Sequence, residues 1–389
     1  MPRPILTCVP PNLPDWLSTL ITLAAALNGP GLLQSFVTRS PANRARTDFD
    51  GAHDNCAYVY DNALAGLALL ASGHGALAAH IGAALLTAQS NDRFWQDGRL
   101  RNAYRSGPAP LSGPYPLPGF WSPKTNAWLE DGYQAGTATG AFAFAMLLWS
   151  GLAKAGFGDG FAKGAERAAR FIAKNLLAPK GFYGGFIGFE PTPDKQLWVS
   201  TEHATDLAAA FANLDSPLKA HARDFVDFAF LPKEGRFLAG LKPDGTPNPF
   251  IAIDANLWPS LLPDPNPAWS QALPFVLKSC GVSESHDQID GVDFNDDRDG
   301  IWLEGTAITA LALGRANLSC PKARFLATLA RHTVSGGIDA TNIPRLTTGL
   351  STGLDPNKAD FYYYQRPALA PLAWAVLASK NINPYAVAF

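Results

Sequence analysis

The chain has 389 residues, 47% apolar and 16% charged, with a formal net charge of −2. A chain this apolar can bury a large core, which excludes intrinsic disorder. With no basic tract, nucleic acid and anionic membranes are not expected as partners. Apolar stretches such as 63–71 fall far short of the roughly 20 residues that a bilayer crossing needs.

The segment from Met1 to Pro14 is proline-rich and lacks a basic region leading into an apolar run. No signal peptide is read there, which suits a cytosolic protein or the mature form of an exported one. The expectation leans to the periplasm or the extracellular space. Cys8, Cys56, Cys280 and Cys320 show no CxxC spacing, so a zinc site is not expected. Isolated buried thiols are favoured over one or two disulfides.

Taken in order, six segments open with acids, amides, aromatics or hydroxyls and then run into Ala, Leu and Gly. They start at Tyr58–Asn62, Asp131–Gln134, Ser200–His203, Ile253–Asn256, Asp299–Glu304 and Tyr364–Arg366, the fourth being cut short by Pro259. Using Asp61, Gln134, Glu202, Asp254, Glu304 and Arg366 as markers, the steps are 73, 68, 52, 50 and 62 residues. Each step holds one helical hairpin with loops. Between the markers, Phe161–Leu177, Pro217–Phe230, Trp269–Cys280 and Pro321–His332 read as one-faced amphipathic helices,.

A nearly uncharged helix of small residues must be covered on all sides, and a one-faced helix can cover it. Six such pairs predict an all-α (α/α)6 toroid with inner and outer rings and long rim loops. A solenoid is the alternative, but its repeats run at about 34 to 47 residues with a near-fixed period. Residues 1–389 are read as a single catalytic domain. Strands are expected to be sparse, with Gly181–Phe189 and Arg236–Pro243 as candidate loop hairpins.

Parallel inner helices would bring their N-termini, with unsatisfied N–H groups and positive dipole ends, to one mouth. Acids there could simply be caps. Aromatics stand beside nearly every acid, however: Tyr58, Tyr60, Tyr133, Trp198, Trp258, Trp302 and Tyr362 to Tyr364. Acids interleaved with aromatic plates suit sugar rings. Phe94, Trp95 and the stretch from Pro114 to Trp128 add further aromatic surface.

The segments YVYDNALAGLALL, STEHATDLAAAF and GIWLEGTAITALAL, and the ending AWAVLASKNINPY, resemble six-hairpin (α/α)6-barrel glycosidase-like proteins of bacterial polysaccharide loci. That resemblance implies carbohydrate chemistry at the mouth of the ring. Hydrolysis of a glycoside needs one protonated and one ionised carboxyl group. The catalytic candidates are Asp61, Glu202 and Glu304, with Glu202 or Glu304 as general acid and Asp61 as general base. Tyr60, Asn62, Asp131, Tyr133, His203, Asp254, Trp258, Trp302, Tyr364 and Arg366 are expected to bind substrate. Asp131, Asp254 and Asp206, the last one turn beyond Glu202, are weaker candidate acids.

Asp293, Asn295, Asp297, Asp299 and Glu304 fall at EF-hand positions one, three, five, seven and twelve,. Arg298 stands where the sharp turn wants Gly, and no helix evidently precedes the run. A solvated acidic loop is therefore expected, with no metal and no cofactor. The expected partner is an oligosaccharide or polysaccharide, and a monomer is expected.

Two other functions remain open. A polysaccharide lyase would use Tyr60, Tyr364 or His203 as base and Arg366 to neutralise a uronate. A non-catalytic glycan-binding protein would share the aromatics. An epimerase would need paired histidines at the mouth, and of seven histidines only His203 starts a predicted inner helix.

Overall fold

The computed structural model describes residues 11–38, 44–45, 47–284, 288–348 and 362–386. The chain opens with α1 (Trp16–Ala25) and a short α2 (Asp48–His53). It continues through α3 (Val59–Ala71), α4 (Gly75–Ser90) and a four-residue α5 (Gly132–Ala135). The pairs α6 (Thr139–Lys154) with α7 (Asp159–Asn175) and α8 (Thr201–Asn213) with α9 (Leu218–Ala229) follow. Next come α10 (Ile253–Leu257) with α11 (Ala272–Ser279), α12 (Leu303–Arg315) with α13 (Ser319–Arg331), and finally α14 (Leu369–Lys380).

Six of these helices contact one another in a cycle: α3 with α6, α6 with α8, α8 with α10, α10 with α12, α12 with α14, and α14 back with α3. Each member also packs against a second helix, namely α4, α7, α9, α11, α13 and α1 in the same order. The sequences explain the division of labour. In α3 every residue from Asp61 to Leu70 is buried. In α7 only one face is buried, through Phe161, Ala165, Ala168, Phe171 and Ile172. Full burial of each Phe or Ile contributes about 1.5–3 kcal/mol, which suffices to seat such a face. Small residues let the cycle close tightly: a Cβ on Gly66 of α3 would lie 2.7 Å from Leu148 of α6.

The helix starts differ from the markers in two places. Asp61, Glu202, Asp254 and Glu304 lie in the first turns of α3, α8, α10 and α12. Gln134 instead lies in the separate α5, and Arg366 precedes α14 by three residues. The fourth helix is short, as Pro259 predicts, and passes into a 3-10 turn over Trp258–Leu261.

Strands are more numerous than expected. Among the described residues they form eight small sheets. The largest, all antiparallel, runs in the order Pro247–Asn248, Gly240–Leu241, Asp194–Ser200, Tyr183–Ile187, Thr137–Ala138. Two of its strands lead directly into α6 and α8, so the sheet borders the end of the cycle where the acids sit. Cys56 and Cys280 are buried free thiols, as expected, whereas Cys320 is disulfide-bonded. Cys8 lies outside the described residues.

Candidate active site

Four acids from four helix N-termini form one electrostatic cluster. Asp61, Asp254 and Glu304 are 7%, 5% and 5% exposed, while Glu202 is partly exposed. Burial raises Asp61, Glu202 and Glu304, because removing a carboxylate from water penalises the charged form,. Glu304 is pushed up to about 8, first by burial and then by the charges of Asp61 and Asp254. Asp61 is raised to about 7 by burial, and hydrogen bonds from Ser35 and its own backbone hold it from rising further. Glu202 is held well above the ordinary carboxylate range by burial, by Asp254 and Asp206, and by its hydrogen bond with Asp254.

Glu304 is oriented by a chain of donors. The Tyr60 hydroxyl donates to Glu304 Oε1 at 2.6 Å and accepts from Trp374 Nε1 at 2.8 Å. One carboxyl oxygen is thus held by Tyr60. The half-buried Tyr363, in the strand Tyr362–Tyr364, lies within electrostatic reach of Glu304, Asp254, Glu202 and Asp61, all of which raise its phenol beyond the effect of burial.

Behind Glu202, Asp206 is 1% exposed and accepts a 2.5 Å hydrogen bond from the Tyr385 hydroxyl. Burial raises it well above the usual range. His203 is 7% exposed and lowered to about 4 by burial, so its imidazole is neutral at physiological pH. Its Nδ1 has no hydrogen-bond partner. The ring lies against α6, where a Cβ on Gly140 would stand 2.5 Å from His203 Cδ2.

Several expected substrate ligands have structural duties. Asn62 accepts from Leu33 N at 2.7 Å and donates to the carbonyls of Leu33 and Tyr58, tying an upstream loop to α3. Asp131 caps α5 by accepting from Tyr133 N and Gln134 N, both at 2.9 Å. Arg366 makes a two-pronged ion pair with Asp50, at 2.6 and 2.8 Å, which anchors α2. It is therefore not free to neutralise a uronate. Trp258 and Trp302 are each 2% exposed. Trp258 packs among Tyr60, Phe144, Trp374 and Tyr385, and Trp302 against Phe294 and Tyr363. Both are walls of the core, not faces open to a sugar. Tyr364 stacks on Phe49 at 4.5 Å.

Tyr133 is exposed, and Trp121 and Trp128 are more so. These two tryptophans are direct cross-strand partners in the hairpin Gly119–Ser122/Ala127–Glu130. Tyr363 belongs to the aromatics expected beside the acids, whereas Trp374 and Tyr385 carried no expectation from the sequence. Tyr385 does stand in the terminal NPY of the resembling segment, which was the available signal.

No family model matches the chain, and no curated protein does. Solved structures share its fold. A glycosidase variant in complex with glucose superposes with a TM-score of 0.59 at 13% identity, over 94% of this chain and 97% of that one. An alpha-amylase from Clostridium perfringens gives 0.60 at 10% identity, over 96% and 99%. A cellobiose 2-epimerase from Bacillus thermoamylovorans also gives 0.60 at 10% identity, over 94% and 97%.

Proposed function

We propose that residues 1–389 form one (α/α)6 catalytic unit that hydrolyses glycosidic bonds in an oligosaccharide or polysaccharide. The closed cycle of six helices, each backed by a partner helix, supports the toroid. The fold shared with a glycosidase, an alpha-amylase and an epimerase supports a carbohydrate substrate. The observation that carries hydrolysis is that two buried carboxyl groups from different helix starts, Asp61 and Glu304, share one cluster, with Glu304 held by the Tyr60 hydroxyl and both raised by burial. Glycoside cleavage requires such a pair, one protonated and one ionised.

In this reading Glu304 gives its proton to the departing glycosidic oxygen as the bond to the anomeric carbon breaks. Asp61 takes a proton from the water whose oxygen forms the new bond. The net change is addition of one water across the linkage. Glu202 and Asp254 share a proton and bind sugar hydroxyls, with Tyr363 closing over them. Tyr133 and the Trp121–Trp128 pair offer stacking surfaces outside the cluster.

A lyase is disfavoured because its neutralising cation, Arg366, is committed to Asp50. An epimerase would need a second unengaged imidazole near His203. Among the described residues the other buried histidine, His53, meets the Phe49 carbonyl and the Tyr58 hydroxyl. Incubation with a panel of bacterial exopolysaccharides, following reducing ends and unsaturated-uronate absorbance together, tests the assignment. Hydrolysis predicts reducing ends without absorbance. Both signals together would mean a lyase, and silence across the panel would mean a binding protein.

A further inference from the structure

The acidic run before α12 contains a second cluster, separate from the four acids. Asp293, Asp297 and Asp299 bring carboxylate oxygens within 4.8 Å of one another. Asp297 and Asp299 are exposed, but Asp293 is fully buried. One of its oxygens, Oδ1, accepts from Phe294 N at 2.7 Å, while Oδ2 is buried with no donor but the neighbouring Asp297 carboxyl to face. A buried carboxylate oxygen left without a donor is costly. Among the described residues no ion pair reaches any of the three acids. The nearest candidate, Arg298, turns its guanidinium to the carbonyls of Lys278 and Ser279.

The EF-hand count does not describe this cluster. Glu304, at the twelfth position, bonds Tyr60 in the other site, and Asn295 Oδ1 is occupied by Asp297 N at 3.0 Å. Three carboxylates nevertheless form an all-oxygen donor set of the kind that suits a hard divalent cation,. The buried member is rigidly held, since Asp293 N donates to the Cys280 carbonyl at 2.8 Å. The two exposed members leave a route of entry from solvent.

We propose that Asp293, Asp297 and Asp299 bind a calcium ion. The ion supplies the positive charge that Asp293 Oδ2 lacks and relieves repulsion among the three acids. It also ties the loop to the rim of the first site. Asp299 accepts from Thr347 N at 3.0 Å, and Arg345–Thr347 pairs with the strand that carries Tyr363. The proposal does not depend on the hydrolase reading, because its readout is binding.

The test is calorimetric titration of CaCl2 into the full chain after chelator treatment, beside the double variant D297N/D299N. Both substitutions lie at exposed positions, so the variant should fold, and its melting temperature without calcium should match the parent within a few degrees. The expected result is one ion per chain with a dissociation constant below about 10⁻³ M, weakened at least tenfold in the variant. Calcium should also raise the melting temperature of the parent and not of the variant. No saturable calcium binding in the parent, or an unchanged isotherm in the variant, would overturn the assignment.

Discussion

Glu304 and Asp61 occupy the same cluster but receive different donors. Tyr60 gives its hydroxyl to Glu304, and Asp61 is served by Ser35 and its own backbone. With Asp61 at about 7 and Glu304 at about 8, the proposed mechanism calls for Asp61 ionised and Glu304 protonated. A pH series of kcat/KM should therefore fall below about 7, where Asp61 gains a proton, and above about 8, where Glu304 loses one. The Tyr60 hydrogen bond lowers the Glu304 value, so Tyr60→Phe should move the alkaline limb to higher pH. An alkaline limb unmoved by that change would separate Glu304 from the profile. Arg366 tests the opposite kind of residue. Its partner Asp50 is fully buried and would be left as an unpaired charge, at a cost of about 3–5 kcal/mol. Arg366→Met should lose that much in urea unfolding, and Asp50→Asn in the same chain should recover part of it. A loss below about 1 kcal/mol would contradict the ion pair's structural role.

Contact between α6 and α8 rests on the missing side chain of Gly140. A Cβ there would meet His203 at 2.5 Å and Asp206 Oδ2 at 3.1 Å. Gly140→Ala should cost about 1–3 kcal/mol by overpacking and lower activity by displacing the helix that carries Glu202. Gly51→Ala in α2, where an added Cβ meets nothing within 4 Å, is the control and should be neutral or slightly stabilising. Thermal unfolding of the two variants decides the point. Equal melting temperatures would remove the close contact from the account.

At this scale the sequence is legible where composition alone marks a helix. The starts of α8 and α12 are visible because acids precede a run of small apolar residues, and α7 is visible from its single apolar face. By contrast α4, Gly75–Ser90, carries no Asp, Glu, Lys or Arg and lacks the one-faced pattern that marks a covering helix. Strands of two residues, such as Gly240–Leu241, are too short for alternation to register. An aromatic beside an acid reads alike whether it faces the mouth or the core. Packing, not position, buried Trp258 and Trp302. The Asp50–Arg366 pair joins residues 316 positions apart, a distance over which a single sequence carries no pairing signal.

Across the whole molecule, both described ends of the chain are fastened to the cycle they close. Trp16 Nε1 donates to Thr333 Oγ1 at 2.9 Å, Asn383 Nδ2 donates to the Leu261 carbonyl, and Tyr385 bonds Asp206. The helices that meet in this way carry four carboxyl groups into one place, and protonation is what makes their shared burial tolerable. A scaffold selected for stability alone would gain by replacing them with apolar residues. The central claim is that these acids perform catalysis. It is tested most directly by assaying Asp61→Asn, Glu202→Gln and Glu304→Gln on the glycan that the parent cleaves, with melting temperatures measured beside the rates. The expected result is folded proteins with melting temperatures unchanged or raised, and with rates about 10² to 10⁴ lower for Asp61 and Glu304, the residues proposed to transfer protons. Variants at those two positions that stay folded and keep most of the parent's activity would contradict it.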